Sequence, residues 1–248
     1  MIIIKDLKKS FRGKRVLDGV NLTIEEGKIT FIIGRSGEGK SVLIKHLIGL
    51  IKPDSGQILL DGKDLVTMNE RDLNEARRKF GMLFQGAALF DSMTVGENVA
   101  FPLREHTDFD DSKIMEIVKS KLARVGLPNI EHMMPSDLSG GMKKRVGLAR
   151  AIAMDPSIVI FDEPTTGLDP IMSDSIGSLM LETQHALKTT YVAISHDIPL
   201  TYKAADMVAM LHEGRIIATG TVEEMKASDS PIIRQFLEGR AEGPIKVF

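Results

Sequence analysis

Gly34-Arg35-Ser36-Gly37-Glu38-Gly39-Lys40-Ser41 lies between an apolar run, Ile29 to Ile33, and an amphipathic stretch that begins near Lys40. Strand, glycine-rich loop and helix, in that order, are what a phosphate cradle requires. The glycines let backbone N–H groups converge on oxyanions, and the helix that follows offers its positive end. Lys40 is placed to reach terminal phosphates, Ser41 to hold Mg²⁺, and Val42 opens the helix. Residues Gly34 to Val42 therefore predict a nucleoside-triphosphate site. A ligand-free glycine turn is the plainer alternative, and the flanking strand and helix weigh against it.

The 248 residues, 43% of them hydrophobic, allow one large α/β domain with a smaller lobe. Net charge is −2, and no basic and aromatic stripe runs along the chain, so no nucleic-acid partner is expected. The basic start (Lys5, Lys8, Lys9, Arg12, Lys14, Arg15) reads as a solvated strand-and-loop face, with a lipid-headgroup or partner-facing patch as the lesser option. The absence of cysteine removes disulfides, thiolate zinc sites and cysteine nucleophiles together. Ile2 to Ile4 is too short for a signal-peptide core, and no stretch approaches the ~20 apolar residues of a membrane span. A cytoplasmic-type protein is expected, with membrane contact only through partners.

Strand patterning marks Ile2 to Leu7 and Val20 to Ile24, and Ser41 to Ile51 reads as a helix. A hairpin follows at Gln57 to Leu60 with an Asp61-Gly62 turn, then a helix-prone stretch from Asn69 to Lys79 and a short strand at Gly81 to Phe84 that delivers Gln85. Residues 92 to 137 hold a helix from Asp111 to Val125 and breaks at Pro102, Gly126, Pro128 and Pro135, which suggests an inserted helical lobe. Ile158 to Phe161 and Thr190 to Ile194 are apolar runs of the kind buried in parallel sheets, with a helix from about Met172 to Leu187 between them. Met207 to Leu211 and Ile216 to Thr219 form a late hairpin through Glu213-Gly214.

Asp162 and Glu163 end a buried strand, where side chains emerge beside phosphate loops in open α/β sheets. Asp162 suits a Mg²⁺ partner, and Glu163 a general base that polarises water for attack on a γ-phosphate. Leu138-Ser139-Gly140-Gly141-Met142 precedes a helix, with Ser139 as N-cap, and offers a second anion site. Such a sequence is more often simply a cap. Two anion sites in one chain nonetheless point to two chains sharing two nucleotides. His196, after the Thr190 strand, is placed to touch the γ-phosphate, and Gln85 to sense Mg²⁺ or the water.

In order, Gly34 to Ser41, Gln85, Leu138-Ser139-Gly140-Gly141, Ile158 to Glu163, Gly167-Leu168-Asp169 and His196 resemble the motif set of an ABC-transporter ATPase subunit. Within that superfamily, Leu83 to Phe90, Asn98 to Thr107, Met134-Pro135-Ser136-Asp137-Leu138 and the ending Arg234 to Gly239 look like the Mla-type ATPases that serve MCE-protein lipid transport. The resemblance covers essentially the whole chain, residues 1–248. It implies a single P-loop NTPase domain of ABC ATPase fold: a RecA-like core, an N-terminal antiparallel β subdomain, and a helical subdomain at about 87–155. It implies ATP and Mg²⁺, with Lys40, Gln85, Glu163 and His196 catalytic and Ser41, Gln85 and Asp162 at the metal. Phe11 would stack on adenine, where the family usually has tyrosine, and Ser139, Gly140, Gly141 and Asp169 would contact nucleotide.

It further implies a homodimer on a membrane permease, with a STAS-domain protein and an MCE-domain protein. The complex would move phospholipid between inner and outer membranes, with this subunit on the cytoplasmic face of the inner one. The groove beside Gln85 would pass motion to permease helices. The ATPase of another importer or exporter is the nearer rival. A soluble ABC-type protein of DNA repair or translation is the further one, and the chain lacks the long coiled-coil insertion or paired cassettes of those. The tail, about residues 238–248, is expected either to be disordered or to dock on the opposite subunit through Ile245, Val247 and Phe248.

Overall fold

A computed structural model describes residues 1–246; Val247 and Phe248 of the expected docking tail lie outside the described residues. The chain divides into two compact units, Met1–Leu73 with the chain from Ile194 onward, and Asn74–Ala193.

In the first unit, β1 (Ile2–Phe11) and β2 (Lys14–Ile24) pair antiparallel from Ile2 opposite Ile24 to Phe11 opposite Lys14. Both strands run further than their apolar patterning. The charged residues 8 to 15 hid that extension, although Arg12 and Gly13, both left-handed, form the tight two-residue turn that strand twist favours. The basic face is met locally: Lys9 donates to Asp54 at 2.9 Å and Arg15 to Asp18 at 2.8 Å. β4 (Ser55–Leu60) adds to the other edge of β1, and β5 (Lys63–Asp64) follows through the Asp61-Gly62 turn. β3 (Ile29–Ile33), buried at every residue, lies parallel to β9 (Met207–His212). β9 turns back antiparallel into β10 (Arg215–Gly220).

α1 (Lys40–Leu47) follows β3 and stops four residues before the expected Ile51, because Gly49 turns left-handed just past its end. α7 (Ile198–Ala204), α8 (Val222–Lys226) and α9 (Pro231–Glu238) complete this unit. Beyond α9 the chain folds back on it: the Gln235 side chain accepts from the Ile245 N–H at 2.7 Å and donates to the Ile245 carbonyl at 3.0 Å, and Ile245 is buried.

α2 (Glu70–Arg77) leads into the second unit. There β6 (Phe80–Leu83) pairs parallel with β7 (Ile158–Asp162), Leu83 opposite Phe161. β8 (Thr190–Ser195) starts beside β7, its Thr190 N–H donating to Ser157 at 3.0 Å. Phe161 and Tyr191 pack with ring centroids 4.8 Å apart, and burial lifts the Tyr191 phenol to about 12. Residues 87–155 contain no strand; they hold α3 (Val95–His106), α4 (Asp111–Arg124) and α5 (Gly140–Ala151). α6 (Pro170–Leu187) follows.

α3 overturns the reading of Pro102 as a break, since Pro102 sits inside it. Proline forfeits the ladder bond to the Asn98 carbonyl and crowds that carbonyl with its ring. The helix is nucleated by a capping box, in which Thr94 accepts from the Glu97 N–H and the Glu97 carboxylate from the Thr94 N–H.

Glycine at 81 lets α5 lie against β6: a Cβ there would stand 2.1 Å from the Ala151 carbonyl oxygen, a backbone atom that cannot swing aside. Gly81→Ala should therefore lower unfolding free energy by about 1–3 kcal/mol. Urea unfolding would read this as a lower midpoint at constant slope, and an unchanged midpoint would contradict the close approach.

Candidate functional site

β3 ends at Gly34, whose φ of 150° carries the chain past the Leu211 carbonyl, 2.3 Å from where a Cβ would be. Gly39, left-handed at φ 102°, caps α1 while packed under Val16 and Leu17. No L-side chain takes either position without strain. Between them Arg35 is half-buried and Ser36 and Gly37 are exposed. The loop thus presents its backbone outward at the start of a helix, which favours an anion.

Lys40 is buried, and its ammonium crosses back over the loop to the Gly34 carbonyl at 2.6 Å and the Arg35 carbonyl at 2.9 Å. Ser41 is exposed on the first turn of α1, with Val42 next to it. Glu38 turns away from the loop: its carboxylate accepts from the Glu213 N–H and stands 3.3 Å from His212 Nδ1. Its side chain therefore anchors the loop to the β9–β10 turn, and only its backbone is left to serve a ligand. Arg35 likewise spends its guanidinium on the Lys246 carbonyl at 2.6 Å. Phe11, at the end of β1, is 44% exposed, with the Lys9 ammonium over its ring, 5.5 Å from the centre. His196 is exposed directly after β8.

In the second unit β7 hands over to Asp162 and Glu163, both half-buried. Glu163 is left-handed at φ 51°, a conformation costing a non-glycine residue of order 1–3 kcal/mol and concentrated at functional sites. Its carboxylate accepts from the Thr166 hydroxyl at 3.4 Å. Gln85 is exposed in the loop after β6. Ser139 is the N-cap of α5 and accepts from the Met142 N–H at 3.3 Å. Gly140 is exposed beside it and Gly141 buried against Met172. Asp169 caps α6, accepting from the Ile171 and Met172 N–H groups at 2.9 and 3.0 Å, so its carboxylate already has a structural task.

The sequence profile described as "ABC transporter" matches residues 17–166, more than half of the chain. The chain belongs to the ABC transporter family. It is an ATP-hydrolysing cassette of that family and is similar along its length to named ATP-binding subunits. Over 236 residues, 95% of this chain and 89% of the relative, it is 44% identical to the "Intermembrane phospholipid transport system ATP-binding protein MlaF" of Haemophilus influenzae (strain ATCC 51907 / DSM 11121 / KW20 / Rd). Over 244 residues, 98% of this chain and 68% of the relative, it is 43% identical to the "Probable ribonucleotide transport ATP-binding protein mkl" of Mycobacterium tuberculosis (strain ATCC 25618 / H37Rv). Among solved structures, a dimeric ATP-binding cassette in a post-hydrolysis state bound to ADP and Pi matches with TM-score 0.81 at 29% identity, covering 90% of this chain and 99% of that one. CbiO1 from Clostridium perfringens, part of the ABC transporter complex cbiONQ, matches with TM-score 0.85 at 32% identity, covering 95% and 94%.

The sequence reading of this ABC ATPase missed two cations on α5. Lys144 is buried and donates to the backbone carbonyls of Gln85 and, at 3.4 Å, of Glu163. Burial pushes its ammonium below the ordinary lysine range, and the charges of Asp162 and Glu163 pull it partly back. Arg150 donates to the Ala87 and Ala88 carbonyls at 2.7 and 2.8 Å. The signal was present: Gly141, Lys144, Leu148 and Ala151 share one helical face, and a lysine among three small or apolar residues marks an inward-facing charge. Arg150 also lines a groove of about 790 Å³, together with Arg77, Met82, Phe84, Phe90 and Phe101. Phe90 packs on Phe101 with centroids 4.9 Å apart, under the Arg150 guanidinium.

A charge-assisted hydrogen bond is worth roughly 1.5–3 kcal/mol. Lys40→Met, with its methylene stem kept, should therefore weaken ATP binding by about 10- to 100-fold while leaving the melting temperature near that of the parent. Fluorescent-nucleotide titration checks this, and undiminished affinity would remove Lys40 from the phosphate site.

Proposed function

We propose that this ATPase powers phospholipid movement between two membranes through a partner permease and an MCE-domain protein, on the cytoplasmic face of the inner membrane. The glycine turn with the Lys40 ammonium folded over it supports nucleotide binding. The 44% identity to the subunit named for intermembrane phospholipid transport, over 95% of the chain, carries the cargo assignment. The mycobacterial relative bears a ribonucleotide-transport name at nearly the same identity, so transport of another solute is the second reading. Among the described residues no helix is long and apolar enough to cross a membrane, and membrane contact is assigned to partners.

In this reading Gly34 to Val42 cradle the phosphates of ATP, Lys40 meets the terminal ones, and Phe11 stacks on adenine. The donors expected for Mg²⁺ are the Ser41 hydroxyl, the Asp162 carboxylate and Gln85. That set is sparse, as suits an ion that keeps waters and is held by one or two carboxylates plus substrate phosphates. Bound there, the ion would neutralise charge building on the phosphate oxygens. Glu163 accepts the proton of the attacking water, and His196 steadies the γ-phosphate. Ser139, Gly140 and Gly141, at the N-terminus of α5, bind the γ-phosphate held by a second copy. ATP then favours the closed homodimer, and hydrolysis releases it. Asp169 lies in the adjoining motif, where its cap of α6 shapes that face.

The groove floored by Phe84, Phe90 and Phe101 lies just past Gln85 in the chain and takes the permease helix. Its apolar area supplies affinity and Gln85 the link to nucleotide. A STAS-domain protein completes the complex.

Glu163→Gln should keep ATP binding, lose at least about 100-fold in turnover and accumulate as an ATP-bound dimer in light scattering. Parental turnover would refute its role as base. Ser139→Arg should abolish hydrolysis with nucleotide affinity of the single chain retained, and full activity would remove the shared site. Purification from native membranes tests the cargo: an MCE-associated permease with bound phospholipid is expected, and a solute permease would favour the second reading.

A further inference from the structure

Lys144 is a buried charge on α5. It faces inward with Gly141, Leu148 and Ala151 and is 5% exposed. Taking an ammonium out of water costs several kcal/mol, and apolar replacements of buried charges are often neutral or stabilising. Two backbone carbonyls and the nearby Asp162 and Glu163 charges return only part of that cost. Stability alone therefore does not account for it.

What distinguishes the two carbonyls is their owners. One belongs to Gln85 and the other to Glu163, residues 78 positions apart in the chain that both carry proposed chemistry. Glu163 is also held left-handed, and such strain persists only where the surroundings over-determine it. The ammonium supplies one such determinant. Arg150, six residues further along α5, supplies the corresponding hold on the Gln85 loop, where Ala87 and Ala88 are themselves left-handed at φ 61° and 48°.

We propose that Lys144 is a positioning residue for ATP hydrolysis: a single ammonium fixes the backbones of Gln85 and Glu163 relative to one another, and so sets where their side chains present. Because the cation comes from the helix that Ser139 caps, any shift of α5 moves both residues together. The proposal rests on the assignment of Glu163 as base and Gln85 as its companion. It touches no reacting atom itself. Misplacement by about 1 Å costs a reaction of this kind roughly 100-fold, so the expected effect of releasing both carbonyls is large in turnover and small in binding.

The test uses the full chain with the subunits that accompany it, and measures steady-state turnover, KM for ATP, fluorescent-ADP affinity and melting temperature. Lys144→Met should lower kcat by about 10- to 100-fold with KM and ADP affinity within about twofold of the parent. Lys144→Arg, which keeps charge and donors, should recover most of the loss. If Lys144→Met does not fold, Lys144→Gln, a donor without the charge, is judged by the same split between kcat and KM. Turnover unchanged in the folded variant, an equal fall of affinity and kcat, no recovery with arginine, or misfolding of both neutral variants would each overturn the proposal. Glu163→Gln run in parallel separates the two levels. If it is inactive while Lys144→Met is fully active, only the positioning role fails; if it keeps parental turnover, the base assignment fails and takes the positioning role with it.

Discussion

Left-handed backbone beyond strand ends is the constraint that recurs at the candidate residues of both units. β3 gives way to Gly34 at φ 150°, β7 to Glu163 at φ 51°, and the loop after β6 to Ala87 and Ala88 at φ 61° and 48°. Each of these turns leaves the strand conformation within its own unit, and for a residue with a Cβ each is disfavoured in isolation. Glycine removes the penalty at 34. At 87, 88 and 163 a Cβ must remain, so the conformations persist only because other groups hold them. Lys144 holds Gln85 and Glu163 by their carbonyls, Arg150 holds Ala87 and Ala88, and Thr166 ties the Glu163 carboxylate.

This makes α5 the organising element of its unit. It approaches β6 closely because two glycines remove side chains from the contact: a Cβ on Gly81 would strike the Ala151 carbonyl, and one on Gly147 would stand 2.7 Å from Leu83. At that separation a lysine or arginine on α5 reaches loop carbonyls with its stem fully packed. Arg145 does the same toward the opposite side, donating to the Val125 carbonyl at 2.7 Å and the Ser175 hydroxyl at 2.8 Å. Lys144 and Arg150 both hold the loop after β6 by backbone carbonyls, Lys144 also reaches Glu163, and Arg145 ties the end of α4 to α6. The loops are thereby free to vary in side chain without losing their anchor.

Much of this was legible in the sequence where a pattern is carried by side chains in runs. The Ile29 to Ile33 strand, the glycine loop, the Asp162-Glu163 strand end and the α5 start all declare themselves through apolar runs, glycine spacing or a cap. The β1–β2 hairpin was only half legible, because Lys8 to Arg15 place charge on strands whose pairing is set by the backbone and by the Arg12-Gly13 turn. α3 was illegible for the opposite reason. Pro102 is a strong local signal of a break, at a cost of about 3 kcal/mol, and the capping box of Thr94 and Glu97 together with the burial of Val95, Val99, Ala100 and Leu103 offsets it.

Lys144 and Glu38 show why the site itself was legible only as an inventory of residues. A residue type suggests a chemistry, but which of its groups is available depends on partners distant in sequence. Glu38 lies in the phosphate loop, yet its carboxylate is committed to Glu213 and His212, 175 and 174 residues away, and its contribution to a ligand reduces to one peptide group. Lys144 belongs to no motif that the sequence singles out, yet it is buried with its charge directed at two loops. In both cases the long-range partner decides function. A hydrogen bond to a backbone group far along the chain converts a residue named by a motif into scaffold, and a residue named by nothing into part of the proposed machinery.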